Sequence, residues 1–142
     1  IAVAQQGWLR TPRLQFVCAN ALEYPLPESD AFILNDILHY MSYEHQRTLL
    51  LRCMERLRPE GKLIVRDGNA ANTRKHRLTR FTELLSTGIF SFNKTTEQLC
   101  FTSEAQIRSI AQEGGMQLEI LPNDRYTSNT IYIFQKNKPE HE

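Results

Sequence analysis

The feature that most constrains the fold is a strand–helix–strand pattern between residues 29 and 68. Two short apolar runs, residues 31–34 and 63–65, flank a segment in which apolar residues recur at helical spacing. Pro59 and Gly61 are expected to end that helix. Two strands joined by a crossover helix lie parallel, so the pattern predicts a βαβ unit. The apolar residues that would face the core are Leu49, Leu50, Cys53, Met54 and Leu57.

Polar residues follow both predicted strands at the point where each one ends. They are Asn35, Asp36 and His39 after the first strand, and Arg66 and Asp67 after the second. In open α/β sheets, ligands bind beyond the carboxyl ends of the parallel strands. The sequence therefore predicts that the chemistry of this protein takes place at this edge of the sheet.

Length and composition restrict the classes of protein to consider. The chain has 142 residues, enough for one domain with a real core, and a formal net charge of +1 with both signs mixed. This charge pattern does not indicate nucleic acid, and no apolar run approaches the ~20 residues of a membrane helix. The cysteines at 18, 53 and 100 are scattered and odd in number, which favours reduced thiols, a cytoplasmic location and no metal site. The chain begins with Ile1, so we expect a fragment of a longer protein.

The remaining segments extend the α/β pattern. Residues 14–18 (LQFVC) are β-prone and predict a further strand, and residues 73–85 have helical periodicity. Ser103 and Gln106 have the spacing of a capping box, which predicts the start of a helix. We expect the tail, residues 137–142, to be disordered.

Two β-prone segments, residues 117–121 and 129–135, lie near the end of the chain. The connection between them is too short for a crossover helix, so they are expected to pair antiparallel.

Taken in order, three motifs give the chain a family resemblance. Residues 20–25 (NALEYP), 30–41 (DAFILNDILHYM) and 57–63 (LRPEGKL) follow one another at the spacing found in class I S-adenosylmethionine-dependent methyltransferases. The resemblance covers residues 1–136. It implies one partial domain, a truncated Rossmann-like α/β sheet with parallel strands and a C-terminal antiparallel strand.

The chain departs from this family pattern in informative ways. The glycine-rich loop after the family's first strand and the second strand with its acidic end are absent, so the chain resembles only the C-terminal part of the domain. Asn20 stands where many relatives have Asp, and Glu60 replaces a common Gly. In the family sheet the missing strands lie in the middle, which would leave two bare edges. We expect residues 14–18 to pair directly with residues 31–34, or the chain to need its missing N-terminal half or a second copy.

The resemblance also implies roles for individual residues. The cofactor would be S-adenosylmethionine, contacted by Asn20, Ala21, Leu22 and Asn35. The methyl acceptor would lie near Asp36, Tyr40, Arg66 and Asp67. His39 is the candidate catalytic base, because imidazole titrates near neutral pH.

Each of these residues has a simpler alternative role. Asn20 could serve only a turn, and Asp36 could only cap the following helix. Arg66 and Asp67 could form a local ion pair, and His39 could simply hydrogen-bond the backbone. The aromatic residues that could belong to core or lid packing are Tyr40, Phe90, Phe92 and Phe101.

The sequence thus predicts the C-terminal portion of a methyltransferase for a small-molecule or lipid-type acceptor, as one module of a larger bacterial polypeptide and inactive alone. The alternative is a non-catalytic methyltransferase-like module for binding or assembly. A nicotinamide-dependent oxidoreductase is a third reading, whose fingerprint would also have to lie upstream.

Overall fold

The computed structural model describes residues 13–68, 99–121 and 129–136. They form a four-stranded sheet with two α-helices, and the helices contact each other and the sheet, so they share one of its faces. The strands are β1 (Ser29–Asn35), β2 (Leu57–Gly68), β3 (Met116–Leu121) and β4 (Asn129–Lys136), arranged in the order β1-β2-β4-β3. The helices are α1 (Tyr43–Glu55) and α2 (Glu104–Glu113), and a 3-10 turn (Leu38–Tyr40) follows β1.

The strand pairing confirms the predicted architecture. β1 and β2 run parallel and are joined through α1, with Ile33 beside Ile64 and Leu34 beside Val65. β4 is antiparallel to both β2 and β3. The βαβ unit and the closing antiparallel strand are therefore both present, and the carboxyl ends of β1 and β2 lie at one edge of the sheet.

Side-chain caps fix the starts of both helices. Ser42 precedes α1 and its side chain accepts from the backbone N–H of His45, so the alternative in which Asp36 only caps this helix is wrong. Ser103 and Gln106 form the predicted capping box at the start of α2. In each case a side-chain oxygen satisfies a backbone N–H that has no partner within the helix.

The end of α1 differs from the sequence prediction. The helix ends at Glu55, and Leu57 is already the first residue of β2, where it pairs with Ser29 of β1. Leu57 stays buried as its periodicity predicted, although the pairing with β1 holds its backbone extended. Glu60 lies within β2, at the point where the pairing register with β1 shifts, and it has a φ of +64°, a left-handed conformation that favours glycine.

The core lies between the helices and one face of the sheet. β1 leaves its other face open, where Ile33 is 70% exposed. The buried apolar residues of the core are Leu38, Leu49, Leu50, Cys53, Met54, Leu57, Leu63, Val65, Ile107, Ile110, Ala111, Met116, Tyr132 and Phe134.

Residues 14–18 do not form the predicted strand. Leu14, Phe16 and Val17 are exposed, and this segment does not pair with β1. A strand obtains its hydrogen bonds from a neighbour, and the sheet of the described residues ends at β1. The expected direct pairing is therefore wrong, and the need for a missing half or a second copy stays a prediction.

The predicted helix at 73–85 and the tail at 137–142 lie outside the described residues. Within the described ranges, neither helix has the length and apolar character needed to cross a membrane.

Candidate functional site

The carboxylate of Asp67 joins the end of β2 to the turn that follows β1. This side chain is buried, and the residue is only 4% exposed. Its Oδ2 accepts from the backbone N–H groups of Leu38 at 2.7 Å and His39 at 3.2 Å, while Oδ1 accepts from the N–H of Gly68 at 2.7 Å. The Nδ1 of His39 lies 2.5 Å from Oδ1. One carboxylate therefore holds both the backbone and the ring of His39.

This contact determines what the His39 ring can do. A carboxylate can only accept, so Nδ1 carries the shared proton and Nε2 presents a lone pair. The side chain of His39 is 12% exposed, which leaves part of the ring accessible. An imidazole anchored in this way can take a proton from an O–H or N–H group that reaches Nε2.

Two aromatic rings lie close to the ring of His39. The ring of Phe101 stacks on it at a centroid distance of 5.3 Å and an interplanar angle of 5°, and Tyr40 lies 4.2 Å away at 44°. Gly68 makes room for this stack, because a Cβ there would lie 3.0 Å from Cε1 of Phe101. Tyr40 is 54% exposed, so it does not belong to the core.

A second polar cluster occupies the same edge of the sheet. Asp36 has a φ of +53°, its backbone N–H donates to the carbonyl of Arg66 at 2.8 Å, and its carboxylate pairs with the Arg66 guanidinium. Asn35 and Asn129 donate to the same carboxylate at 3.1 and 3.0 Å. Arg66 thus pairs with Asp36, and the alternative of a local ion pair between Arg66 and Asp67 is wrong.

The loop before β1 carries the residues predicted to contact the cofactor. Asn20 closes a turn, with Oδ1 accepting from the N–H of Leu22 at 3.1 Å and Nδ2 donating to Glu23 at 2.9 Å. Arg52 of α1 holds this loop by donating to the carbonyls of Ala21 at 3.1 Å and of Leu22. In the part of the chain that the structure describes, no hydrogen bond links this loop to the polar residues after β1 and β2.

The structure thus separates the predicted site residues into three groups. They are His39, Tyr40 and Asp67; Asn35, Asp36 and Arg66; and Asn20, Ala21 and Leu22. Asp67 is turned toward His39 and the backbone, away from the surface, so its predicted contact with an acceptor stays a prediction. The cofactor and acceptor roles of the other residues also stay predictions.

Gln46, a buried polar residue beside this site, is not among the residues predicted from the sequence. Its side chain bridges the turn after β1 and the segment before α2, through contacts with Leu38, Met41, Cys100 and Thr102. Its burial could have been predicted from the spacing, because position 46 precedes Leu49 and Leu50 by three and four residues and so lies on the buried face of α1.

Comparisons with known proteins agree with this fold. Residues 1–117 match the family model described as an O-methyltransferase domain. No curated protein sequence matches the chain.

Several solved structures are similar to this one. The structure of human N-acetylserotonin methyltransferase in complex with SAM has a TM-score of 0.67 at 18% identity, with 96% of this chain and 38% of that chain covered. An O-methyltransferase family protein from Burkholderia thailandensis has a TM-score of 0.66 at 18% identity, with 90% of this chain and 37% of that chain covered. The N-methyltransferase NodS from Bradyrhizobium japonicum was solved with S-adenosyl-L-homocysteine. Its structure has a TM-score of 0.66 at 16% identity, with 96% of this chain and 61% of that chain covered. The chain therefore spans between 37% and 61% of the length of these structures.

Proposed function

This chain belongs to the O-methyltransferase domain family, and we propose that it is part of an S-adenosylmethionine-dependent methyltransferase. Its role there is to orient the methyl acceptor and to remove the acceptor's proton. The observation that carries this proposal is the His39–Asp67 contact of 2.5 Å at the carboxyl edge of β1 and β2. This edge is where α/β sheets bind their ligands. The proposal concerns the activity of the full-length polypeptide, since the chain spans only part of the similar structures.

The chemistry assigned to the chain is proton removal and positioning. When bound, S-adenosylmethionine supplies an activated methyl group on a sulfonium centre. Asp67 keeps the proton of His39 on Nδ1, so that Nε2 can accept the proton of the acceptor's O–H or N–H group. General-base catalysis of this kind contributes typically about 10²–10⁴-fold to a rate. Asp67 acts through His39, and its role is to position the ring.

The loop at 20–22 is proposed to hold the adenine end of the cofactor. The side-chain oxygen of Asn20 already accepts from Leu22, and an amide oxygen has a second lone pair that can accept from the adenine amino group. Asn35, at the end of β1, would border the methionine end. Because the glycine-rich loop is absent from this sequence, we expect the chain alone to bind the cofactor weakly and to be inactive.

The acceptor is proposed to be a small molecule or a lipid-type group. Tyr40 offers an exposed aromatic surface beside His39, and the paired charges of Asp36 and Arg66 largely cancel each other, so neither feature is suited to a polyanion such as nucleic acid. Human N-acetylserotonin methyltransferase, which shares the fold, is named for a small acceptor.

The second candidate is a non-catalytic module for binding or assembly. It is favoured by one observation, the outer edge of β1, which has no strand beside it among the described residues. An unpaired edge can add a strand from another chain.

Calorimetry with S-adenosylhomocysteine, on the full-length polypeptide and on this chain in parallel, tests the proposal. Binding by the full-length protein and loss of methyl transfer in His39→Ala are the expected results. His45→Ala is the matched control, because His45 is an exposed histidine on α1. Absence of binding by either form would favour the non-catalytic module.

A further inference from the structure

The buried cluster around Gln46 has no part in the proposed reaction, although it touches both segments that surround the His39 ring. Gln46 is 0% exposed. Its Nε2 lies 3.0 Å from the carbonyl oxygen of Leu38, 2.9 Å from that of Met41 and 2.7 Å from that of Cys100. An amide nitrogen has two hydrogens, so these three acceptors share them.

The four partners of Gln46 fall into two pairs. The carbonyls of Leu38 and Met41 lie on either side of His39 in the chain. The carbonyl of Cys100 and the hydroxyl of Thr102, which donates to Oε1 of Gln46, lie on either side of the stacked Phe101. One side chain of α1 therefore fixes the segment that carries the imidazole and the segment that carries the ring stacked on it.

We propose that Gln46 is a positioning residue that sets the orientation of the His39 ring toward Asp67. The proposal rests on the proposed function of His39, but the contacts that support it are independent of any cofactor or acceptor. A purely space-filling role would be served equally well by an apolar side chain of similar size. Such a side chain would remove the donor that the carbonyls of Met41 and Cys100 share, and the acceptor of the Thr102 hydroxyl. The carbonyl of Leu38 would keep only the backbone N–H of Met41. Both segments would then shift to find other hydrogen-bond partners.

The orientation of His39 can be measured directly by NMR. The ¹⁵N shifts of an imidazole report which nitrogen carries the proton, and a short hydrogen bond moves that proton to low field. The test compares Gln46→Met with Gln112→Met, a matched change at an exposed glutamine of α2, in the full-length polypeptide. The exposed His45 serves as an internal reference in every sample.

The wild type is expected to show His39 with its proton on Nδ1 and a low-field proton signal. Gln46→Met is expected to lose that signal and to populate both tautomers, whereas Gln112→Met keeps the wild-type spectrum. A folded Gln46→Met with an unchanged His39 spectrum would overturn the proposal, as would a wild type without the Nδ1 proton.

A second variant decides the matter if Gln46→Met does not fold. Thr102→Val removes only the hydroxyl that donates to Oε1 of Gln46, and it is expected to weaken the low-field signal of His39. No change in that signal would refute the positioning role. Methyl transfer by His39→Ala is measured separately, so failure of the proposed function is distinguishable from failure of this inference.

Discussion

Replacing Asp67 with Asn changes one atom of the group on which the candidate site depends. The carboxylate accepts from Leu38, Gly68 and two groups of His39. An Asn amide has one oxygen and one NH₂ group, so it can satisfy the donors on only one side. If its oxygen keeps the bonds to Leu38 and the His39 backbone, its NH₂ group faces the N–H of Gly68 and the His39 ring.

The cost of Asp67→Asn can be estimated from these contacts. The half-buried N–H of Gly68 is left without its partner, at about 1–3 kcal/mol, and the His39 ring loses its hydrogen bond to a charged group, worth about 1.5–3 kcal/mol. We therefore expect the free energy of unfolding to fall by about 3–5 kcal/mol. The NH₂ group also requires a lone pair on Nδ1, so the His39 proton moves to Nε2 and methyl transfer falls by about 10²–10⁴-fold.

Urea denaturation measures the change in stability, and ¹⁵N NMR measures the position of the proton. Asp30→Asn is the control, because Asp30 forms an exposed ion pair with Arg58 at 3.2 Å. Such surface pairs contribute about 0–1 kcal/mol. If Asp67→Asn costs no more than Asp30→Asn and His39 keeps its proton on Nδ1, the reasoning about this carboxylate is wrong.

Three other predictions concern stability. Burial raises the pKa of the Cys53 thiol to about 11. The stability that comes from keeping this thiol neutral is complete below the pKa of Cys53 in the unfolded chain, and it is lost as the pH rises through its pKa in the folded protein. The free energy of unfolding, measured by urea denaturation and compared with that of Cys53→Ala, should therefore decline between about pH 9 and 11 by up to roughly 3 kcal/mol. A constant difference between the two proteins would contradict this. Glu60→Gly should stabilise the protein by about 0.5–1 kcal/mol in the same assay, because Glu60 has a left-handed φ, whereas Glu60→Ala should give no gain. Arg52→Lys should lower the free energy of unfolding by about 1–2 kcal/mol, since an ammonium group cannot span the carbonyls of the loop before β1. An unchanged free energy would show that the contacts of Arg52 with this loop do not stabilise the protein.

Local patterns were sufficient to predict most of the elements. The apolar runs predicted β1 and the core of β2, the helical periodicity predicted α1, and the capping box predicted the start of α2. Each depends on residues a few positions apart, because strand and helix geometry repeat over two and 3.6 residues. The short connection between the last two strands was likewise enough to predict that they are antiparallel.

Pairing between distant segments could not be predicted in the same way. Residues 14–18 have a strand-like composition, yet a strand also needs a neighbour, and only the tertiary structure shows that none of the described segments pairs with the outer edge of β1. α1 ends early for a related reason, since Leu57 pairs with Ser29, 28 positions earlier in the sequence.

The sequence placed the polar residues of the site at one sheet edge, and only the tertiary structure decided their partners. Arg66 and Asp67 are neighbours in the chain, but successive side chains of a strand point to opposite faces. Arg66 therefore meets Asp36, while Asp67 turns inward to His39. Gln46 became part of the site only because α1 packs its buried face against the two segments that meet there. Spacing along the chain thus determines the face on which a residue lies, and packing between elements determines what it contacts.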